Sequence, residues 1–177
     1  MAFSGSKHSR GFTLVELVVV LGIMGILMGI AVYSASNFRA RYVVEKTIKD
    51  LYTDLMNTRV LAMQQNRARF VVFSSNQYGI YEDTAPAPDG DGQLDTAADA
   101  KVRTQNIQTG YTIASSATWT GADSFQFNGK GLVPNNVIGK GTTISVNTTV
   151  AAEYDCISVS QIKITLGKMT GANCVAK

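Results

Sequence analysis

Two thiols, a run of aspartates among glycines, and one isolated carboxylate are the residues of this chain whose types and spacing could do chemistry. Cys156 and Cys174 are its only cysteines. In an oxidising compartment they can join as a disulfide, and closing a loop of this size contributes roughly 3 kcal/mol in the chain-entropy model. Free buried thiols are the alternative. A zinc site wants four His or Cys ligands, and the chain offers no third thiol and one histidine, His8. Asp89, Asp91 and Asp95 stand in Pro88-Asp89-Gly90-Asp91-Gly92-Gln93-Leu94-Asp95, with Asp83 and Asp99 to either side. Hard Ca²⁺ takes several oxygen ligands on a backbone that glycine lets turn sharply, which makes these three the calcium candidates. An EF-hand register through Asp89-x-Asp91-Gly92 puts Ala87 at the first ligand position and Ala98 at the twelfth, so a solvated acidic loop is the first reading.

The isolated carboxylate is Glu16. Between positions 12 and 33 only Thr13 and Glu16 carry strongly polar side chains, and residues 17–33 carry no charge. Extended back through Leu14 and Val15, the run reaches the ~20 apolar residues that cross a bilayer as helix. A secretory signal peptide has an apolar core of only ~7–15 residues, and a two-faced surface helix would show a polar stripe that this segment lacks. A carboxylate inside the membrane costs roughly 2.5–3.5 kcal/mol on insertion scales, so it calls for a cationic partner. The alternative places Glu16 in the headgroup layer as an early-turn residue favoured by the helix macrodipole.

No catalytic constellation accompanies these groups, and the chain is not expected to be an enzyme or to need a cofactor other than the calcium just considered. Gly139-Lys140-Gly141-Thr142 has the wrong glycine spacing for a phosphate loop, with Gly141 where the hydroxyl residue belongs. With one histidine, near the amino terminus, no Ser/His/Asp or Cys/His system can be assembled in the rest of the chain.

The elements that position these groups follow from composition. The 177 residues are 45% hydrophobic, and the excess is concentrated in the amino-terminal run. Beyond it, Val44, Ile48, Leu51, Leu55, Thr58 and Ala62 recur at spacings of three and four, with Glu45, Lys46, Lys49, Asp50 and Asp54 on other faces. With no proline before about residue 66 the pattern predicts one helix, ~80 Å long at 1.5 Å per residue. Gly22, Gly25 and Gly29 lower its helix propensity and either let helices approach closely, let the helix loosen during assembly, or need no function. After the helix, runs at 69–73 and 78–81 flank a turn as a hairpin. A second hairpin is expected at 124–127 and 132–133, with Asn128-Gly129 at its turn. Further strands are expected at 102–107, 111–114, 144–146, 156–159 and 162–166. One long helix followed by short antiparallel strands is an α+β architecture.

Ser9-Arg10-Gly11-Phe12-Thr13-Leu14-Val15-Glu16-Leu17 resembles the prepilin leader and mature amino terminus of type IV pilins and type II secretion pseudopilins. Within that group the closest resemblance is to the minor pseudopilins and minor pilins of the GspH/FimT type. It rests on Leu55-Met56-Asn57-Thr58-Arg59-Val60-Leu61-Ala62, the hairpin after it, Phe125-x-Phe127-x-Gly129, and the late strands followed by Gly167-Lys168 and Cys174. The resemblance implies cleavage by prepilin peptidase between Gly11 and Phe12 and methylation of Phe12. It also places Glu16 at the fifth mature position, facing the amine of Phe12 on a neighbouring subunit. It divides the chain into a leader at 1–11, a transmembrane and filament-core helix at 12–34, a helix continuing onto the head at 35–66, and a β-rich head at 67–177.

The leader also settles orientation, since Lys7 and Arg10 before the run are matched by Arg39 and Arg41 after it. Its loss takes Lys+Arg from 16 to 14 against 13 acidic groups, a side-chain total of +1. Three readings compete: a structural, minor subunit of a type IV pilus or type II pseudopilus, a DNA-binding minor pilin, and a membrane-anchored enzyme. The first predicts a single-pass protein of the bacterial inner membrane with a periplasmic head, whose partners are other pilins or pseudopilins in a filament or initiation complex. DNA is not expected as a partner: DNA-binding relatives of the FimT type carry a Gly-Arg-x-Arg-like motif where this chain has Ser160-Gln161-Ile162-Lys163.

Overall fold

The computed structural model describes residues 11–88, 90–115, 124–134 and 142–177, and of residues 32–34, 36 and 115 the backbone alone. Among the described residues a helix, α1 (Leu14–Gln65), precedes nine strands. Thr13 begins it: its Oγ1 accepts the Glu16 N–H at 3.2 Å, and its carbonyl accepts the Leu17 N–H, the arrangement of a helix N-cap. Asn66 ends it in the left-handed region at φ 49°. The Arg67 N–H then reaches back to the Ala62 carbonyl at 3.1 Å and the Asn66 N–H to Met63 at 3.4 Å, closing the helix as a Schellman motif.

The chain forms two units, one through Arg39 and one from Ala40 onward. In the first, residues 14–31 form one stretch long and apolar enough to cross a membrane, and none of it is buried.

The second unit contains two antiparallel sheets. β1 (Arg69–Ser74), β2 (Gln77–Glu82), β3 (Ala100–Asn106) and β5 (Ser124–Phe127) form one in the order β3-β2-β1-β5. β4 (Thr112–Ser115), β6 (Thr142–Asn147), β7 (Cys156–Val159), β8 (Ile164–Thr170) and β9 (Asn173–Ala176) form the other in the order β4-β6-β7-β8-β9. The α+β architecture expected from the sequence is the observed one. Val44, Ile48, Leu51, Leu55, Thr58 and Ala62 are all buried, so the helical stripe is placed as its spacing predicts. These apolar side chains meet Val71, Phe73, Tyr78, Phe125 and Phe127 of the first sheet, and Ile144, Ile157 and Val159 of the second, in one core.

Asp54, assigned above to a polar face, is instead buried. It lies three residues after Leu51 and four before Thr58, at the edge of the stripe and against the first sheet. The second expected hairpin does not form. Asn128 turns the chain by accepting N–H groups from Lys130 and Leu132 on its side-chain oxygen, but Val133 then bonds to the Gln161 carbonyl beside the other sheet, and β5 pairs with β1. Gly129 is required here for space, because a Cβ would fall 2.7 Å from the Asn66 side-chain oxygen at the end of the helix.

A disulfide joins Cys156 of β7 to Cys174 of β9. These strands are not neighbours, since β8 lies between them, and Gly167 of β8 is paired with Cys156. A Cβ at Gly167 would lie 2.8 Å from the Cys174 sulfur and closer still to the Val175 carbonyl oxygen. The bridge thus crosses β8 where the strand has no side chain. Gly167→Val is expected to obstruct the bridge and to lower head stability by roughly 2–5 kcal/mol, as removal of a native disulfide does. Alkylation and non-reducing peptide mapping of membrane-extracted protein will then recover two free thiols from the variant and none from the parent. Thiols recovered equally from both, or from neither, would refute the steric role.

Candidate functional site

The amino-terminal end combines four features. Gly11 and Phe12 precede the helix, and Phe12 is 84% exposed. Thr13 caps the helix, and Glu16, exposed, occupies its first turn. Thr13 and Glu16 stand at the spacing of a capping box, Thr-x-x-Glu. That spacing was a signal for Thr13 that the reading of Glu16 alone overlooked. A carboxylate in the first turn faces the positive end of the helix macrodipole, and beyond it no charge occurs before Arg39. A Cβ at Gly22, Gly25 or Gly29 would meet nothing within 4 Å, so among the described residues no contact requires those glycines.

The head holds the remaining candidates. In the acidic loop the carboxylates bond to the loop's own backbone. Asp83 accepts N–H groups from Asp91 at 3.2 Å and Gly92 at 2.7 Å, and Asp99 accepts those of Thr84, Ala85 and Asp95. Asp91 accepts that of Gln93, and Asp95 those of Ala97 and Ala98. Asp83 and Asp99 are buried, which corrects the picture of a wholly solvated loop. Desolvation raises the Asp83 carboxyl above its ordinary range against the opposing pull of its two backbone donors. The Gln126 side chain reaches the Gly92 carbonyl, and the loop thereby lies over the face of the first sheet that carries Phe70 and Tyr81, both buried. Asp89 lies outside the described residues, as do the leader through Arg10 and Gly139, Lys140 and Gly141 of the phosphate-loop comparison. Among the described residues no three His, Cys, Asp or Glu side chains are grouped to hold a metal ion.

Between helix and sheet, Tyr78 donates its hydroxyl to Asp54 Oδ2 at 2.7 Å while Arg103 pairs with Oδ1 at 3.0 Å. Burial, then the bond to Asp54, raises the Tyr78 hydroxyl far above the ordinary phenol range. At the end of the helix, Arg67 pairs with Glu82 at 2.9 Å, and buried Arg69 pairs with Glu82 and donates to Gln65. Three arginines of the head therefore already face carboxylates.

Comparison with known proteins decides the family. Residues 6–32 match the model of the prokaryotic N-terminal methylation motif. Over 178 aligned residues the chain is 30% identical to the type IV major pilin protein PilA of Myxococcus xanthus (strain DK1622), covering 85% of this chain and 71% of that protein. The chain belongs to the type IV pilin-like family. The pilin-like fold is similar to that of the type IV minor pilin FimU of Pseudomonas aeruginosa (strain PAO1), with a TM-score of 0.53 and 16% identity over 74% of this chain and 92% of that one. It is also similar to the minor pseudopilin EpsH from the type II secretion system of Vibrio cholerae, with a TM-score of 0.50 and 10% identity over 72% and 97%. At these identities the likeness is one of fold. The motif spans the Gly11-Phe12 junction, Thr13 and Glu16.

Proposed function

We propose that this pilin-like chain is a structural, minor subunit of a type IV pilus or type II secretion pseudopilus, and has no catalytic role. Prepilin peptidase removes the leader after Gly11 and methylates Phe12. The helix anchors the subunit in the bacterial inner membrane with its head on the periplasmic side, and assembly proceeds through the helix, Glu16 pairing with the Phe12 amine of a neighbour. The observation that carries this reading is the helix start: a glycine and an aromatic residue, a capping Thr13, then Glu16 in the first turn of a wholly exposed 18-residue apolar stretch that carries no other charge. Such a stretch needs lipid or other helices around it. Mass spectrometry of protein extracted from its native membrane tests the processing: the expected mature chain begins at methylated Phe12, and a start elsewhere would overturn the leader reading.

The structure also bears on DNA. Arg67, Arg69 and Arg103 are paired with Glu82 and Asp54, so these three arginines already have carboxylate partners within the head. The segment from Ala40 onward, which contains the whole described core, is expected to bind duplex DNA weakly and with a shallow salt dependence. Submicromolar affinity at physiological salt, falling steeply as salt rises, would instead favour a DNA-receptor role.

A further inference from the structure

The last strand is attached to the head without entering its core. From Thr170 to Lys177 every residue is exposed except Cys174, which is half-buried. β9 ends its sheet and is hydrogen-bonded to β8 alone, through the four pairs from Gly167↔Ala176 to Thr170↔Asn173. Past the strand, the Lys177 N–H reaches the Leu166 carbonyl at 3.2 Å, and Lys177 Nζ lies 3.4 Å from Glu153 and over the Tyr154 ring. An ion pair between two exposed side chains contributes little. A short hairpin with no buried face is marginal on its own.

β8 is held differently. Ile164 is buried in the core and Leu166 packs against it. The strand pairs with β7 from Cys156↔Gly167 to Val159↔Ile164, and the Met169 N–H donates to Asp155 Oδ1 at 2.6 Å. None of these contacts involves β9, so β8 keeps its place without it.

The disulfide supplies what β9 lacks, by tying it past β8 to β7. Its two ends differ in access: Cys156 is fully buried, and Cys174 is the end that solvent reaches. Next to β9 the chain turns through Gly171, at φ 63°, a backbone conformation that glycine adopts without strain. We propose that β9 is a redox-controlled strap, which a dithiol reductant releases from the sheet while the rest of the head stays folded. A thiolate of the reductant attacks Cys174 Sγ, and the electron pair of the S–S bond leaves with the Cys156 sulfur, which takes up a proton. The second thiol of the reductant then displaces Cys174 as a thiol, and the reductant departs as its own disulfide. Residues 171–177 swing away at the Gly171 turn, and β8 becomes the edge of the sheet. The redox state of the surroundings thereby decides which strand ends the sheet, independently of how the chain assembles.

Hydrogen–deuterium exchange of the full chain in detergent micelles tests this, comparing the oxidised protein, the protein treated with dithiothreitol, and Cys174→Ala, in which no bridge can form. All three are measured at one pH. Dithiothreitol without denaturant is expected to yield two alkylatable thiols. Exchange in residues 171–177 should then quicken by at least about tenfold, as for a segment that opens locally, and equally in Cys174→Ala. Peptides covering residues 44–62 and β1 should exchange as slowly as in the oxidised protein. A bridge that dithiothreitol opens only in denaturant would overturn the proposal, as would a β9 that stays protected once the bridge is open. Loss of protection across the whole head together would also overturn it, since β9 would then belong to the same cooperative unit as the core.

Discussion

Glu16→Ala is expected to leave the chain processed and inserted in the membrane but missing from filaments. The substitution makes the anchor more apolar, so insertion is not impaired. Nor does it disturb the start of the helix. Thr13 caps through the backbone N–H of residue 16, which alanine keeps, and alanine is the better helix former. What is lost is the one negative charge of the segment. Opposite charges ~4 Å apart at an effective dielectric of 20 attract by about 4 kcal/mol before desolvation, and a cleaved α-amine with a pKa near 8 is mostly cationic at neutral pH. Even half of that energy lost at each subunit contact would reduce incorporation by more than about tenfold. Replacing Gly11 by a bulky residue should fail one step earlier, leaving the leader attached and the Phe12 amine unformed. Mass spectrometry of the extracted subunit, with its recovery in sheared filaments or in crosslinks to other pilins, separates the two. Normal incorporation of Glu16→Ala would return Glu16 to the headgroup layer.

Asp54→Ala should be the most damaging single change at the helix–sheet seam. It leaves the Tyr78 hydroxyl buried without its acceptor and Arg103 without its carboxylate. Breaking a buried pair from one side costs about 3–5 kcal/mol, and since Arg103 is half exposed the lower end is expected, about 3 kcal/mol. Tyr78→Phe keeps the ion pair and should cost about 1–2 kcal/mol. The two are also separated by pH. A tyrosine whose folded pKa is raised keeps its proton after the unfolded chain, with a pKa near 10, has lost it. The folded state then binds more protons, and stability falls as pH rises past about 10, by at most about 1.4 kcal/mol per pH unit. Tyr78→Phe should abolish that part of the alkaline loss. Denaturant unfolding of the segment from Ala40 onward at pH 7, 9, 10 and 11 measures both effects, and an unchanged alkaline slope in Tyr78→Phe would remove Tyr78 as its source.

How much of this was readable in advance depended on whether a residue's environment is local. The stripe from Val44 to Ala62 was legible because helical period alone decides which side chains share a face. Asp54 was misread by the same rule, since a charged residue at the stripe's edge faces solvent or core according to what the neighbouring strand offers, and Tyr78 and Arg103 stand far away in sequence. β7 was located residue for residue, whereas β9, with no buried side chain in its burial pattern, has no alternation to reveal it and depends on β8 and the disulfide. Asn128-Gly129 did announce a turn, but whether a turn makes a hairpin depends on the partner of the strand after it, and here the chain leaves for the second sheet. In the acidic loop the aspartates suggested cation ligands, though their nearest available donors are backbone N–H groups within the loop. At the amino terminus the sequence was most informative, because capping and membrane length are local properties.

Among the described residues no buried hydrophobic side chain precedes Val44. The free energy of folding the head and the free energy of moving the apolar stretch from one solvent to another are therefore separate quantities. A subunit can exchange lipid for neighbouring helices, or return to lipid, without shifting the folding equilibrium of its head. What surrounds the apolar stretch, lipid or other helices, decides the solvation of that stretch, and the head's own core, from Val44 onward, adds nothing to it.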